Sequence, residues 1–438
     1  MYHFIGIKGS GMSSLAQIMK ELGYAVQGSD LEKHFFTEEG LRELSIPILP
    51  FDENNITEGM KIVRGATFGD DHPEVKKAKE LNLQMYSYAE MVGILTKKFE
   101  TICIAGCHGK TTTTSMMAHV LENLKGANYL IGDGTGYANP DNTYFVLEAC
   151  EYRRHFLNYT PTYAIITNID LDHVDYFQDI DDVIDAYQSY ANNAEKMVIA
   201  CGDDPYTHTL EMTKPIFFYG LDEENDIRAT EVEYKKTGIS FDVIIEDNYY
   251  GHFDLPIYGK HMLLDALAVI GTCYYERLEG KEVAKVLKTF KGAKRRFSET
   301  VIGDNIVIDD YAHHPGEVKA TLNAIKQKYE DKKVIAIFQP HTFSRTKEFA
   351  PALVKALNHA DAAYILDIHP AREKAEDFDH ITSSILIDAL ENGHHLNRED
   401  AKDLIQDENS VYIFMSPNDL SDLEEETKKL LAEKDIQM

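Results

Sequence analysis

Residues 106–112 read Gly106-Cys107-His108-Gly109-Lys110-Thr111-Thr112 and follow the apolar run Thr101-Ile102-Cys103-Ile104-Ala105. A helix pattern, Ser115-Met116-Met117-Ala118-His119-Val120-Leu121, comes next. A strand that enters a glycine turn and leaves as a helix aims backbone N–H groups at an anion. Lys110 adds a point charge there, and the Thr111 hydroxyl is suited to hold Mg2+. The spacing G-x-x-G-K-T is shorter than that of the ordinary P-loop. A glycine turn ahead of a threonine-rich helix cap is the plain alternative, but Gly, Gly, Lys and Thr coincide at the strand-to-helix junction. The segment is therefore expected to bind a nucleoside triphosphate.

Triphosphate chemistry needs a metal, and Mg2+ prefers hydroxyl, carboxylate and phosphate oxygens. Glu148 ends the apolar run Thr143-Tyr144-Phe145-Val146-Leu147, where a carboxylate could face that ion. The next run, Tyr163-Ala164-Ile165-Ile166-Thr167, leads into Asn168-Ile169-Asp170-Leu171-Asp172-His173-Val174-Asp175. A His in an acidic loop is by itself a common solvated residue; after two strands that end beside a phosphate turn, His173 becomes a candidate ligand or orienting group. Further on, Asp309-Asp310-Tyr311-Ala312-His313-His314-Pro315 and Gln339-Pro340-His341-Thr342-Phe343-Ser344-Arg345-Thr346 place acids, imidazoles and a guanidinium at strand ends. The basic run Lys294-Arg295-Arg296-Phe297 stands out in an acidic chain and is expected to meet a phosphate at a domain junction.

The elements that must position these groups fall into three α/β segments, with borders expected at 1–98, 99–292 and 293–438. The first opens with a strand from His3 to Ile7, a turn Lys8-Gly9-Ser10-Gly11 and a helix from Met12 to Leu22, then a strand from Ala25 to Ser29 ending in Asp30. Such a βαβ opening suits a dinucleotide, the pyrophosphate of a nucleotide sugar, or no ligand at all, as a tight structural turn. In the second segment, polar residues collect at the C-terminal ends of apolar strands, the signature of a parallel sheet with its site along that edge. Residues 227–257 alternate instead and predict a small antiparallel insertion. The third segment repeats the α/β rhythm and closes on 423–429, which is expected to be a solvated helix.

Composition narrows the function. With 44 Lys and Arg against 73 Asp and Glu, the net charge of −29 argues against a nucleic-acid surface. No apolar stretch nears the roughly 20 residues that span a bilayer, and no signal-peptide pattern opens the chain. Five scattered cysteines without a C-x-x-C pair predict neither a disulfide framework nor a zinc ribbon. A cytoplasmic protein without a membrane partner is expected.

Together these pieces resemble the Mur ligase family, the ATP-dependent amide ligases of peptidoglycan precursor synthesis, almost end to end. The resemblance is carried by Gly6-Ile7-Lys8-Gly9-Ser10-Gly11-Met12-Ser13, Gln27-Gly28-Ser29-Asp30, the turn at 106–112, and the runs 309–315 and 338–346. The N-terminal Gly-Met-Ser pattern and the double His are similar to the branch that joins L-alanine to UDP-N-acetylmuramate. The resemblance implies a Rossmann-like N-terminal domain, a central parallel-sheet ATPase domain and a Rossmann-like C-terminal domain, acting as a monomer or weak homodimer. It implies ATP and Mg2+, with Gly106 to Thr112, Arg296 and Asp310 on ATP, Lys110 on its γ-phosphate, and Thr111, Glu148 and His173 on the metal. It further implies that Gly9, Ser10, Gly11, Met12, Ser29 and Asp30 take the UDP-sugar, and that His313, His314 and Arg345 take the amino acid.

Four positions depart from that pattern. His261-Met262-Leu263-Leu264-Asp265 stands where the family carries His-Asn-x-x-Asn, and an ionised Asp265 would only accept hydrogen bonds. Ser416-Pro417-Asn418-Asp419 replaces a glycine-rich turn, Gly316 replaces a Thr, and Arg64-Gly65-Ala66-Thr67-Phe68 lacks an Asn. A ligase for another amine or peptide, or a non-catalytic relative that binds UDP-sugar or ATP, are the other functions this pattern allows.

Overall fold

The computed structural model describes residues 1–438 apart from 36, 372, 379, 406–408 and 438. Among the described residues the strands form three sheets. The first holds β1 (Tyr2–Ile5), β2 (Val26–Ser29), β3 (Ile48–Leu49), β4 (Lys61–Arg64) and β5 (Gln84–Ser87) in the order β3-β2-β1-β4-β5. Every pair is parallel. Both faces are covered, so Phe4, Ile5, Ile62 and Val63 are all fully buried.

The helix Ser10–Glu21 packs with more than its apolar stripe. Besides Leu15, Ile18 and Met19 it buries Ser13, Ser14 and Gln17, and the last two meet the next domain. Ser14 Oγ donates to the Ile131 carbonyl at 3.2 Å and Gln17 Nε2 to the Gly134 carbonyl at 3.0 Å. In return the Ala138 N–H donates to the Glu21 carboxylate at 2.6 Å. A β-carbon on Gly136 would lie 2.2 Å from the Ser14 carbonyl oxygen, so only glycine permits this approach.

The central sheet contains β6 (Glu100–Ala105), β7 (Ala127–Leu130), β8 (Gly136–Tyr137), β9 (Tyr144–Glu148), β10 (Tyr163–Ile166), β11 (Met197–Cys201), β12 (Ile216–Gly220), β13 (Ile227–Lys235), β14 (Gly238–Ile245) and β15 (Asn248–Leu255). Their order is β15-β14-β13-β12-β11-β10-β6-β9-β7-β8. Strands β6, β7 and β9 to β13 pair in parallel, and β13 to β15 form an antiparallel ribbon. The expected antiparallel insertion is thus an extension of the main sheet rather than a separate unit. Phe156 stacks on Tyr190 at 4.7 Å beneath the sheet, and the Tyr190 hydroxyl is satisfied by the Cys103 carbonyl.

The third sheet runs β16 (Ser298–Ile302), β17 (Asn305–Asp310), β21 (Ser410–Met415), β18 (Lys333–Phe338), β19 (Ala362–Ile365) and β20 (Gly393–His395), and only β16 is antiparallel to its neighbour. The closing helix Ser421–Gln437 corrects the solvated reading of 423–429. Leu423, Thr427 and Leu431, four residues apart, are buried on one face beneath its charged exterior. The described helices include none long and apolar enough to cross a membrane.

Candidate active site

The C-terminal ends of β6, β9 and β10 meet at the phosphate turn. The helix that follows begins at Lys110, well ahead of its apolar pattern, and has no side-chain cap, so its first N–H groups are left for a ligand. Gly109 caps it at φ 81°, a left-handed conformation that other residues resist. The turn is held before any ligand arrives. Asn168 Oδ1 accepts from the His108 N–H and Asn168 Nδ2 donates to the His108 carbonyl, both at 2.9 Å. Cys107 Sγ donates to the Asp170 carbonyl at 2.9 Å.

Beside the turn, Thr111 Oγ1 donates to Glu148 Oε2 at 2.8 Å. Lys110 Nζ donates to the carbonyls of Gly106 and Cys107 and to Glu151, at 3.2 Å for Glu151 Oε1. Burial opposes the Lys110 charge, but Glu151 outweighs it and holds the ammonium far above its ordinary range. His173 lies with this pair, its Nε2 3.5 Å from Glu151 Oε1 and its ring 4.6 Å from that of Tyr152. The expected metal set therefore divides: Thr111 touches Glu148, while His173 groups with Glu151 and Asp172, whose ligand atoms lie within 4.8 Å of one another. Sequence reasoning missed Glu151; its signal was a second carboxylate three residues after Glu148.

The third domain closes this site from above. Arg345 Nε and Nη2 donate to Asp172 Oδ1 at 2.9 and 2.6 Å, and its Nη1 and Nη2 reach His341 and His173. Arg345 does pair with a carboxylate, but in this structure the carboxylate is Asp172's. The His314 ring lies 4.4 Å from that of His108, and Asp170 approaches His108 Nε2 at 3.7 Å. Burial would lower His108, yet Asp170 and Glu317 outweigh it and lift it to about 9. For His314, burial and the neighbouring His108 both act downward, to about 4.

The basic run at 294–297 splits. Arg295 is bound to Asp309 at 3.1 Å and to the carbonyls of Ser416 and Asn418 at 2.9 and 3.0 Å, a bracing role in place of the expected phosphate. Arg296 faces the site, 3.9 Å from Glu317. Asp310 accepts from the Phe297 and Ala312 N–H groups, both at 2.8 Å, so its oxygens organise the chain that carries Arg296.

In the first domain, Gly9, Ser10 and Gly11 line the turn, whereas Met12 is buried. Ser29 departs from its expected role: its side chain is fully buried and donates to Glu74 Oε2 at 2.5 Å. It shapes the turn through its carbonyl, which accepts from Gly6 and Ile7. Asp30 takes the Lys8 N–H at 2.7 Å, and the Lys8 ammonium pairs with buried Glu38 at 2.8 Å.

Two of the four departures from the family pattern, at 261–265 and 416–419, have local explanations. Asp265 is buried against Gly109, and burial pushes its carboxyl up to about 7. A carboxyl raised this far is protonated in a share of the molecules near neutral pH, and that neutral form donates as well as accepts, as an amide does. Met262 packs on the apolar core of the central domain. The 416–419 turn needs no positive φ; Ser416 Oγ accepts from the Asn418 N–H at 3.0 Å, and Arg295 gathers its carbonyls.

A parallel sheet that ends in a Gly-Lys-Thr cradle, roofed by a third domain that inserts Arg345 and His314, defines a nucleotide-dependent enzyme of the multidomain ligase class. Comparison with known proteins agrees. Residues 1–100 match the "Mur ligase family, catalytic domain", 104–273 the "Mur ligase middle domain" and 295–415 the "Mur ligase, glutamate ligase domain". The UDP-N-acetylmuramate–L-alanine ligases of Lacticaseibacillus casei and Lacticaseibacillus paracasei are each 46% identical over 433 residues, covering 99% of this chain and 99% of each relative. The crystal structure of the UDP-N-acetylmuramate–alanine ligase of Thermotoga maritima superposes with a TM-score of 0.82 at 26% identity, covering 100% of this chain and 99% of that one. A murein peptide ligase from Psychrobacter arcticus shares the fold, with a TM-score of 0.74 at 22% identity over 98% of both chains. The chain belongs to the Mur ligase family.

Proposed function

We propose that this protein joins L-alanine to UDP-N-acetylmuramate at the expense of ATP. The 46% identity across 99% of the chain to ligases named for that reaction carries the reading. The acceptor carboxylate oxygen attacks the γ-phosphorus, ADP leaves, and an acyl phosphate forms. The alanine amine then attacks the carbonyl carbon, the tetrahedral intermediate expels phosphate, and the amine proton is lost to solvent or a nearby base. No enzyme nucleophile is needed, so the protein's part is positioning and charge neutralisation.

Lys110 would neutralise the γ-phosphate once it leaves Glu151. The adjacent hydroxyl and carboxylate of Thr111 and Glu148 are hard oxygen donors that fit Mg2+, His173 would serve the metal from its group with Glu151 and Asp172, and the ion would supply positive charge to the phosphates. Arg345 would exchange Asp172 for the alanine carboxylate, with His313 and His314 beside it. Arg296 and Asp310 complete the ATP side. Gly9, Ser10, Gly11, Met12 and Asp30, with the Ser29 carbonyl, form the turn for the UDP end. In this division of labour 1–98 holds the UDP-sugar, 99–292 holds ATP, and 293–438 closes over both. We place the reaction in the cytoplasm, where ATP and nucleotide sugars are at hand.

The test is ADP and phosphate release with Mg-ATP, UDP-N-acetylmuramate and L-alanine, omitting each in turn. Release that needs all three is expected. Binding of ATP or UDP-sugar without turnover would overturn the reading.

A further inference from the structure

Glu317 collects groups from three separate segments. It occupies the third position of the helix Pro315–Lys328, where it completes a capping box with His314. Its Oε2 accepts from the N–H groups of His313 and His314 at 3.1 and 3.2 Å. Those two bonds are all that a helix cap requires. The remaining contacts exceed that need: the carboxylate also stands 3.2 Å from His313 Nδ1, 3.4 Å from His108 Nδ1 and 3.9 Å from Arg296 Nη1.

The geometry matters because His108 belongs to the phosphate turn of the central domain. On its other side stands Asp170, at 3.7 Å, and the His314 ring covers its face at 4.4 Å. The His108 imidazole is thus clamped between one carboxylate of its own domain and one of the closing domain. The helix that bears Glu317 also follows directly from the His313-His314 pair.

We propose that Glu317 is a positioning residue for the ligase reaction: through His108 it ties the phosphate turn to the His313–His314 pair and Arg296 when the third domain closes. The proposal rests on the ligase reading above. Glu317 acts through these neighbours and contacts no reacting atom.

Glu317→Gln separates the two roles. Glutamine at this helix position keeps the length and the capping bonds but removes the charge. The expected result is a modestly lowered melting temperature, since His108 loses one of its two carboxylates, and an unchanged KM for UDP-N-acetylmuramate, with kcat reduced by about tenfold or more. Glu317→Gln combined with His108→Gln should lose little beyond the worse single variant, because the two groups act as a unit. Amide exchange at 106–112, followed in the ADP-bound protein, should be faster in Glu317→Gln than in wild type. A kcat within about twofold of wild type would reduce Glu317 to a helix cap, and independent, multiplicative losses would break its link to His108. If wild type fails to turn over, the ligase reading falls first. Exchange alone then decides, and unchanged protection at 106–112 overturns the tie.

Discussion

Arg345 and Asp172, 173 residues apart in the chain, form an ion pair at 2.6 Å with both side chains at most 10% exposed. It joins the third domain to the loop after β10, beside the imidazole of His173. Burial would raise the Asp172 carboxyl, but His173 and Arg345 outweigh it and hold it well below the ordinary range. That stabilisation is present above the usual carboxylate value and is lost only as pH falls through the depressed one. Arg345→Ala leaves a buried carboxylate without its partner. A loss of about 3 kcal/mol by denaturant titration is expected, together with a raised KM for alanine. Arg345→Lys should not restore that KM, because an ammonium lacks the planar fork.

Lys110→Ala removes the cation that Glu151 holds over the turn. ADP release should fall by about a hundredfold or more, while UDP-sugar binding to the first domain, read by calorimetry, stays as in wild type. Loss of both would mean that the lysine shapes the fold rather than the reaction.

The adjoining rings of His108 and His314 predict a pH optimum for stability. His108, raised to about 9, contributes fully below its unfolded value near 6.5 and loses that contribution as pH climbs toward 9. His314, lowered to about 4, contributes above the same unfolded value and loses it as pH falls toward 4. The two limbs cross near pH 6.5, where melting temperature against pH should peak as far as this pair sets it. In His108→Gln the alkaline decline should flatten, which a buffer series of thermal melts would reveal.

Asp265 gives a second alkaline test. Its carboxyl, raised to about 7, favours the fold in the neutral form, so its contribution is full below the unfolded value and is lost as pH rises through 7. Asp265→Asn should therefore stabilise, and the gain at pH 8 should exceed that at pH 5 by about 3 kcal/mol, at roughly 1.4 kcal/mol per unit over the two units from 5 to 7. An equal gain at both pH values would mean that the carboxyl stays ionised.

Gly136→Ala should push the first domain away, since the added carbon meets the Ser14 carbonyl at 2.2 Å. A higher KM for the UDP-sugar is expected, with ATP binding to the isolated turn little changed, as read by nucleotide titration.

What could be read in the sequence was local. The strands and the glycine turn follow from apolar runs bounded by Gly and polar residues, and the sheet edge that carries the site follows from where Glu148 and Asn168 end their strands. The partners of the site residues were not legible. Lys110 meets Glu151 41 positions later, and Arg345 meets Asp172 173 positions earlier. Such pairings depend on how sheets stack rather than on any local period. Chemical type misled in two places. Arg295 looked like a phosphate ligand and instead braces the 416–418 carbonyls, and the Glu and Lys of the last helix hid the buried line of Leu423, Thr427 and Leu431.

The stretch from Ile131 to Ala138 is held at one side by Ser14, Gln17 and Glu21 of the first domain. On its other side Gly132 abuts Glu148, where a β-carbon would come within 2.3 Å of the carboxylate. This strap works as a spacer between the first-domain helix and the Glu148 carboxylate of the central sheet. The distance between the first domain and the Glu148 end of the central sheet is therefore set through main chain, with no reacting group in the linkage.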